Sequence, residues 1–268
     1  FFPSPYEHAA VLTVDGVGEW ATATIGEGKG SRLRLLRELR WPDSVGMLYS
    51  AFTYWLGFRV NSGEYKLMGL APYGEPGSER TKAFERTIRE RLVEVLEDGS
   101  IRLDRRRFDF ETGLRMVRDG DWDGLFGFPR RLEKDEILPH HADLALAIQR
   151  VLEDIVLRMA VTARTLTGAR HLCLAGGVAL NCVANSVLRD RAGFDGIWIQ
   201  PAAGDAGGAL GAALDAWHTR CGGPRESTGT SDRMAGAFLG PGIDGREVDR
   251  VALRYGAPNR RFDDPDSL

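Results

Sequence analysis

Short apolar runs separated by glycine turns open the chain and predict strands. Residues 9–14 read AAVLTV, and a second β-prone run, residues 20–25, follows the turn sequence at 15–18. An Asp-Gly pair between two such runs predicts a hairpin whose turn carries Asp15. A helix-start signal, Pro42-Asp43-Ser44, then precedes VGMLYSAFTYWLGF, a segment that is apolar on nearly every side. This pattern predicts a buried helix.

The second half of the chain alternates helix and strand patterns. Apolar residues recur at helical spacing over 143–166 and predict one long amphipathic helix. There follow a strand with a glycine turn, HLCLAGG (171–177), a helix in VALNCVANSVLRD, a strand in GIWIQP (196–201) and a glycine-led helix in GDAGGALGAALDAWH. Strand, helix, strand and helix in close succession predict a parallel sheet with crossover helices, and so an α/β fold.

The regions between and after these patterns have a different composition. Residues 61–74 are predicted to hold a short helix between glycines. Residues 78–136 are dense in Arg, Glu and Asp and predict a peripheral charged insert, with an amphipathic helix, irregular or extended pieces and a hairpin at Asp98-Gly99-Ser100. Beyond Cys221 the chain is rich in Gly, Pro, Ser and Arg, with no further element predicted, so residues 221–268 are expected to be a linker.

Composition excludes several classes of protein. The chain has 268 residues, a net charge of −3 and 27% charged residues with mixed signs, which disfavours nucleic acid as a partner. Its longest run of apolar residues and glycine, 172–180, is shorter than the ~20 residues that a bilayer span needs. Three cysteines without CxxC spacing, and first residues that lack a signal-peptide pattern, favour a reduced, cytoplasmic protein.

Three glycine-rich turns carry the candidate chemistry, at 15–19, 176–181 and 204–208. Glycine lets backbone N–H groups approach a phosphate, and the helices after the second and third turns add a favourable dipole. None of the three matches a P-loop or a GxGxxG dinucleotide motif. Because ligands of open α/β sheets bind beyond the carboxyl ends of strands, the three turns together predict a nucleotide cleft of another design.

Polar side chains in these turns leave alternatives open. Asp15 and Asp205 would repel a phosphate unless a cation lay between them, so a metal ion is one explanation and an Asx-turn or helix cap is the other. Asn181, one turn into its predicted helix, would bond a ribose or base, or would face solvent. His140 and His141 precede a helix and are interpreted as part of its cap, and no Ser-His-Asp or Cys-His pairing is visible.

Five strings along residues 1–218 resemble one known family, the carbamoyltransferases of the NodU/CmcH type, which include antibiotic O-carbamoyltransferases. They are VLTVDGVGEWATATIG, SVGMLYSAFTYWLGF, GEYKLMGLAPYG, LCLAGGVALNCVAN and QPAAGDAGGALGAAL. The resemblance implies an actin/Hsp70/sugar-kinase-like fold of two ribonuclease-H-like halves, with mixed sheets and flanking helices, similar to the threonylcarbamoyl-adenylate transferases. It also implies that residues 1–220 are a catalytic domain lacking its start, and that residues 221–268 lead towards a YrdC-like domain.

The resemblance further implies an activity and a set of site residues. Members of the family make carbamoyl-adenylate from carbamoyl phosphate and ATP in a C-terminal YrdC-like domain. They then transfer the carbamoyl group, in the N-terminal domain that this chain resembles, to a hydroxyl of a small metabolite such as an antibiotic or sugar. Asp15 and Asp205 match metal ligands, with Fe²⁺ expected, Mg²⁺ or Mn²⁺ as alternatives, and a His-rich motif expected upstream of residue 1. The expected nucleotide contacts are Gly16, Val17, Gly18, Glu64, Lys66, Gly176, Gly177, Val178, Asn181, Gly207 and Gly208.

Some questions stay open at this level. No catalytic base is assigned, and the resemblance allows a homodimer without requiring one. An ATP-dependent sugar kinase of the same fold and a catalytically silent nucleotide-binding module are alternatives, because a fold does not fix a chemistry. Threonylcarbamoylation of tRNA is a further alternative, which the absence of a basic face disfavours.

Overall fold

The protein is described here by a computed structural model that covers residues 1–226, 229 and 231–260. The chain divides into two compact units, Phe1–Arg233 and Met234–Leu268. The predicted linker is therefore shared between the units, and its residues 227, 228, 230 and 261–268 lie outside the described part. Arg225 explains why residues 221–226 belong to the first unit. Its buried guanidinium donates hydrogen bonds to the carbonyl oxygens of Phe2 and Gly30, at 3.1 and 3.3 Å.

Five strands of the first unit form a mixed sheet. Numbered in chain order, the strands are β1 (His8–Gly18), β2 (Ala21–Lys29), β3 (Arg32–Arg40), β6 (His171–Ala175) and β7 (Gly196–Ile199), while β4 (Val93–Val95) and β5 (Ile101–Leu103) form a separate hairpin. The sheet order is β3-β2-β1-β6-β7. β1 pairs antiparallel with β2 and parallel with β6, and β6 pairs parallel with β7. The predicted parallel sheet is confirmed for these three strands.

The predicted first hairpin is present, but its turn is displaced. β1 continues through Asp15 to Gly18, and the chain reverses at Glu19-Trp20. β3 is an additional strand that no pattern predicted. Its partly buried residues are Leu33, Leu36 and Leu39, a spacing of three that results from irregular pairing with β2 and that hides the period of two expected of a strand.

Helices flank the sheet of the first unit, and one further helix lies in the second unit. They are α1 (Val45–Trp55), α2 (Glu64–Leu70), α3 (Glu79–Arg91), α4 (Asp119–Phe126), α5 (Pro139–Thr167), α6 (Cys182–Arg191), α7 (Gly207–Asp215) and α8 (Gly245–Tyr255). α6 begins at Cys182 rather than near residue 178, because residues 177–180 form a 3₁₀ turn. α8 lies in the second unit, where no element was predicted. Asp244 caps it by accepting the Glu247 amide, and Gly256 ends it at a φ of 58°.

The two faces of β1 have different surroundings. Ala10, Leu12 and Val14 belong to the hydrophobic core, and α1 and α5 pack against this strand. The intervening residues Val11, Thr13 and Asp15 line an open cleft. We call these the packed face and the cleft face of β1. The period of two along a strand places every second residue on the same face.

The charged insert predicted at 78–136 also contributes to the core. Phe84, Ile88, Trp122 and Phe126 are buried in the same cluster as the packed face, so the segment is not wholly peripheral. Its charges lie mostly on exposed positions, and the hairpin predicted at residues 98–100 joins β4 to β5.

The α/β class, with a mixed sheet and flanking helices, is confirmed. The resemblance implied two halves, each with its own sheet. Across residues 1–226, 229 and 231–260, however, the structure contains one five-stranded sheet and one two-stranded hairpin.

Candidate functional site

The carboxyl ends of β1, β6 and β7 meet at one edge of the sheet, because the three strands are parallel neighbours. A cleft of about 790 Å³ opens at this edge and extends over the cleft face of β1. It is lined by these predicted site residues: Asp15, Val17, Gly18, Gly176, Asp205, Gly207 and Gly208. The structure thus brings the three glycine turns together.

Asp15 is fixed by the backbone around it. Its Oδ1 accepts hydrogen bonds from the N–H of Gly16 at 2.8 Å and of Gly177 at 3.2 Å. A side chain at Gly177 would bring its Cβ to 3.0 Å from the same oxygen. Within the described residues no hydrogen bond to Oδ2 is found. One oxygen of the carboxylate therefore holds the second turn, while the other is available to the cleft.

Gly176 lets the second turn cross close to β1. Its φ is 95°, and a Cβ there would lie 2.2 Å from the carbonyl oxygen of Val14. Both the backbone conformation and the close approach require glycine. This contact brings the Gly177 amide within reach of Asp15.

The start of α1 supports Asp15 from behind. Ser44 is fully buried, and its hydroxyl lies 3.1 Å from the carbonyl oxygen of Asp15 and 2.6 Å from that of Gly16, while it accepts the Met47 amide as the helix cap. A Cβ on Gly46 would lie 2.6 Å from the Asp15 carbonyl oxygen. The helix-start signal seen in the sequence therefore also fixes the position of a candidate site residue.

The third turn is attached to the second but is more open. The N–H of Gly176 donates to the carbonyl of Ala203 at 2.8 Å, which joins the two turns. Asp205 itself is exposed. The amides of Gly207 and Gly208 donate to carbonyl oxygens of their own turn, at 3.0 and 3.1 Å. These two amides therefore stabilise the turn, and Gly207 also permits close approach to the Ala202 carbonyl.

Several predicted residues lie beside the cleft rather than in its lining. Val178 is half-buried against the core. Asn181 is the N-cap of α6, not a residue one turn inside it, and its Oδ1 accepts the Ala184 amide at 2.9 Å. Gly16 packs near Met47, with a Cβ position 3.8 Å from its sulfur. The side chain of Asn181 is therefore engaged within the protein.

The two predicted contacts on α2 also stay outside the cleft lining. Glu64 accepts hydrogen bonds from the Ser50 hydroxyl at 2.7 Å and from the Asn61 and Gly63 amides at 3.0 and 3.1 Å, so it organises the start of α2. Lys66 is exposed, with its ammonium 6.0 Å from the Tyr65 ring centre. α2 is linked towards the second turn by the Cys182 thiol at the start of α6, which lies 3.8 Å from the Met68 sulfur on α2.

The donor set for a metal is small. In the described part of the chain, no group of three or more His, Cys, Asp or Glu side chains is arranged to hold a metal ion. None of the five histidines, all of which the structure describes, lines the cleft. Asp15 and Asp205 are thus two carboxylates at a cleft rather than a complete metal site.

Histidine and cysteine side chains serve the structure. His140 and His141 lie inside the first turn of α5 rather than before the helix. The predicted capping role is confirmed for His141, because its Nδ1 accepts the Leu138 amide at 2.9 Å, and burial lowers its pKa to about 4. His171 stacks on the Tyr6 ring at 4.1 Å. Cys173 also lines the cleft, and burial raises the pKa of its thiol, which disfavours the thiolate form that acts as a nucleophile.

Sequence patterns missed the second role of Ser44 and the whole role of Gln149. Gln149 is a buried amide on α5 that bonds the Asn181 side chain. One signal could have drawn attention to it: a glutamine adjoining the apolar positions Ile148 and Val151 of the long helix.

One family of known proteins matches most of the chain. Residues 1–214 match the family model described as "Carbamoyltransferase N-terminus". The chain belongs to the carbamoyltransferase family. The match covers β1 to β7 and nearly all of α7, and so includes every residue named for the cleft.

Relatives of this carbamoyltransferase-family chain are much longer than the chain itself. An uncharacterized protein of Synechocystis is 49% identical over 93% of the chain and 39% of its own length. Nodulation protein NolNO of Sinorhizobium fredii is 36% identical over 80% of the chain and 29% of its own length. Nodulation protein NolO of Bradyrhizobium diazoefficiens is 34% identical over 80% of the chain and 36% of its own length. Among the described residues no helix is long and apolar enough to cross a bilayer.

Proposed function

We propose that this chain is part of the catalytic domain of an O-carbamoyltransferase, with carbamoyl-adenylate as donor and a hydroxyl of a small metabolite, such as an antibiotic or sugar, as acceptor. The donor would be made from carbamoyl phosphate and ATP. The observation that carries the proposal is the convergence of Asp15, the Gly176 turn and the Asp205 turn in one cleft of a chain from this family.

The sheet supports the fold expected from the resemblance. Three antiparallel strands, β3-β2-β1, followed by the parallel β6 and β7, suit one ribonuclease-H-like half of an actin/Hsp70/sugar-kinase-like protein. In such a sheet the ligand lies at the carboxyl ends of the parallel strands. The cleft lies at that edge.

The proposed transfer is a simple substitution at the carbamoyl carbon. The acceptor oxygen forms a bond to that carbon, the bond from the carbon to the phosphate oxygen breaks, AMP leaves with the electron pair, and the hydroxyl proton passes to a base. Negative charge develops on the carbonyl oxygen, and the positive end of the α7 dipole, whose first residues Gly207 and Gly208 line the cleft, favours an anion nearby. The chain's part in this scheme is to bind and orient the adenylate.

A metal ion would complement the two carboxylates. Asp15 Oδ2 and the Asp205 carboxylate are oxygen donors, and Mg²⁺ or Mn²⁺ is commonly held by one or two carboxylates together with water and phosphate oxygens. Bound there, such an ion would neutralise phosphate charge beside the carboxylates. Fe²⁺, expected from the resemblance, is usually held partly by imidazole, which no histidine of this chain brings to the cleft.

Product analysis tests the proposal. The longest open reading frame that contains this chain is expressed, and the purified protein is supplied with ATP, isotopically labelled carbamoyl phosphate and a panel of hydroxylated acceptors. We expect AMP, pyrophosphate and a carbamate ester of the acceptor. Formation of ADP with a phosphorylated acceptor would instead establish a sugar kinase, and the absence of any nucleotide turnover would overturn the proposal.

A matched pair of variants links the products to the cleft. Asp205→Asn should reduce carbamate formation by a factor on the order of a hundred. Asp190→Asn, which removes an exposed carboxylate paired with Arg189 outside the cleft, should leave the rate unchanged. Equal rates in the two variants would favour a catalytically silent module.

A further inference from the structure

A buried polar cluster lies directly behind the second glycine turn. It consists of Tyr49 on α1, Gln149 on α5 and Asn181 at the start of α6, which are 5%, 2% and 8% exposed. The Tyr49 hydroxyl donates to Gln149 Oε1 at 2.9 Å. The Gln149 and Asn181 amides bond reciprocally, at 3.1 Å from Nε2 to Oδ1 and at 2.9 Å from Nδ2 to Oε1.

The hydrogen bonds leave this cluster a single arrangement. Gln149 Nε2 also donates to Glu153 Oε1 at 2.9 Å, and Asn181 Oδ1 also accepts the Ala184 amide at 2.9 Å. Burial raises the pKa of Tyr49, so its hydroxyl stays a donor. Buried amides cost free energy unless they are paired, and rotating either amide here would break several bonds together. The cluster therefore fixes the position of Asn181 relative to two helices.

From Asn181 a chain of hydrogen bonds leads to the candidate site. The backbone N–H of Asn181 donates to the Val178 carbonyl at 2.9 Å, and the backbone N–H of Ala179 donates to the Gly176 carbonyl at 2.9 Å. These two bonds close the turn. The Gly177 amide of the same turn donates to Asp15 Oδ1 at 3.2 Å. A displacement of Asn181 would thus move the amide that holds the Asp15 carboxylate.

We propose that Tyr49 and Gln149 are positioning residues for the cleft, and that they act through Asn181 on the turn at 176–180 and on Asp15. Asn181 then orients the turn instead of contacting the adenosine. The effect on catalysis rests on the proposed function, whereas the effect on the turn does not. Leucine at position 149 would keep an apolar stem of similar volume but would leave the Tyr49 hydroxyl and the Asn181 side-chain amide without these hydrogen bonds, so the Gln149 amide is the feature to test.

The test compares Gln149→Leu with Thr53→Val. Thr53 is fully buried on the same helix as Tyr49, and its hydroxyl donates to the Tyr49 carbonyl at 3.2 Å, so its loss disturbs the core without touching the turn. Amide hydrogen exchange is followed over residues 176–185. We expect faster exchange at Gly177, Asn181 and Ala184 in Gln149→Leu and unchanged exchange there in Thr53→Val.

Kinetics provide the second measurement. The KM for carbamoyl-adenylate, the donor that the cleft is proposed to bind, should rise on the order of tenfold in Gln149→Leu and stay within about twofold in Thr53→Val, because misplacing a binding group weakens ligand binding more than core loosening does. Tyr49→Phe leaves the side-chain amides of Gln149 and Asn181 paired, so its KM should lie between those of Gln149→Leu and Thr53→Val. Exchange over 176–185 that is the same in Gln149→Leu as in the unmodified protein would overturn the inference. An unmodified protein without carbamoyl transfer would overturn the proposed function alone, since hydrogen exchange would still decide the positioning role.

Discussion

The two faces of β1 separate packing from chemistry along a single strand. On the packed face Ala10, Leu12 and Val14 are completely buried. On the cleft face Thr13 and Asp15 are partly exposed and line the candidate site. Alternate residues of one strand therefore contribute to different properties. Substitutions on the packed face should mainly lower stability, and substitutions on the cleft face should mainly weaken ligand binding.

One cleft residue, Gly176, should nevertheless affect stability strongly, because the second turn crosses close to β1 at this point. Gly176→Ala places a Cβ 2.2 Å from the Val14 carbonyl in a backbone conformation that only glycine adopts readily. We expect the free energy of unfolding to fall by roughly 4 kcal/mol, from strain and overpacking together. Gly208→Ala is the control, since it also lines the cleft but its Cβ would meet no atom within 4 Å. Denaturant titration measures both, and similar midpoints would contradict the close approach.

A pair of neighbouring substitutions tests the two faces directly. Leu12→Ala opens a cavity on the packed face and should lower the free energy of unfolding by about 3 kcal/mol. Thr13→Ala, one residue further on the cleft face, loses a hydroxyl that lies 2.6 Å from the Thr24 hydroxyl and a methyl group of a partly exposed side chain, and should cost about 1 kcal/mol. Thermal and denaturant unfolding of both variants provide the comparison. Equal losses would mean that the cleft face is packed as tightly as the other.

The two carboxylates of the cleft, Asp15 and Asp205, should differ in how much each contributes to stability. Asp15→Ala leaves the Gly16 and Gly177 amides without their acceptor, so we expect a loss of about 1.5 kcal/mol in stability. Asp205→Ala, at an exposed position, should change stability by less than about 0.5 kcal/mol. Calorimetric titration with Mn²⁺ in the presence of ATP should show weaker binding in both variants. Unchanged Mn²⁺ binding in both would argue against a metal between these two residues.

Local signals predicted much of this fold. The buried helix after Ser44, the long helix α5 and the parallel β6 and β7 all follow from hydrophobic period and glycine turns within one segment. The position of Asp15 within a strand, rather than in the hairpin turn, was not predictable from these local signals. An Asp-Gly pair signals a turn, but here β1 continues past it and the chain reverses at Glu19-Trp20.

The location of the site was predictable from the sequence, but the residues that hold its turns in place by hydrogen bonds were not. Three glycine turns after successive strands indicated one cleft, since parallel strands bring their carboxyl ends together. The supports join residues far apart in sequence: Ser44 bonds Gly16 across 28 positions, Gln149 bonds Asn181 across 32, and Tyr49 bonds Gln149 across 100. No local pattern encodes such pairs, because each depends on how whole helices pack.

An effect of pH is expected at the start of α5, whose body packs against β1. His141 is 5% exposed, its Nδ1 accepts the Leu138 amide, and burial lowers its pKa to about 4. The unfolded chain therefore takes up this proton first as the pH falls below about 6.5, so stability that is present above that pH should decrease by about 1 kcal/mol between pH 6.5 and 5.5. His141→Asn keeps an acceptor for the Leu138 amide and removes the titrating ring. Denaturant titrations across this range should give a flatter pH dependence in the variant, and identical slopes would show that the packed side of the molecule does not depend on a neutral His141.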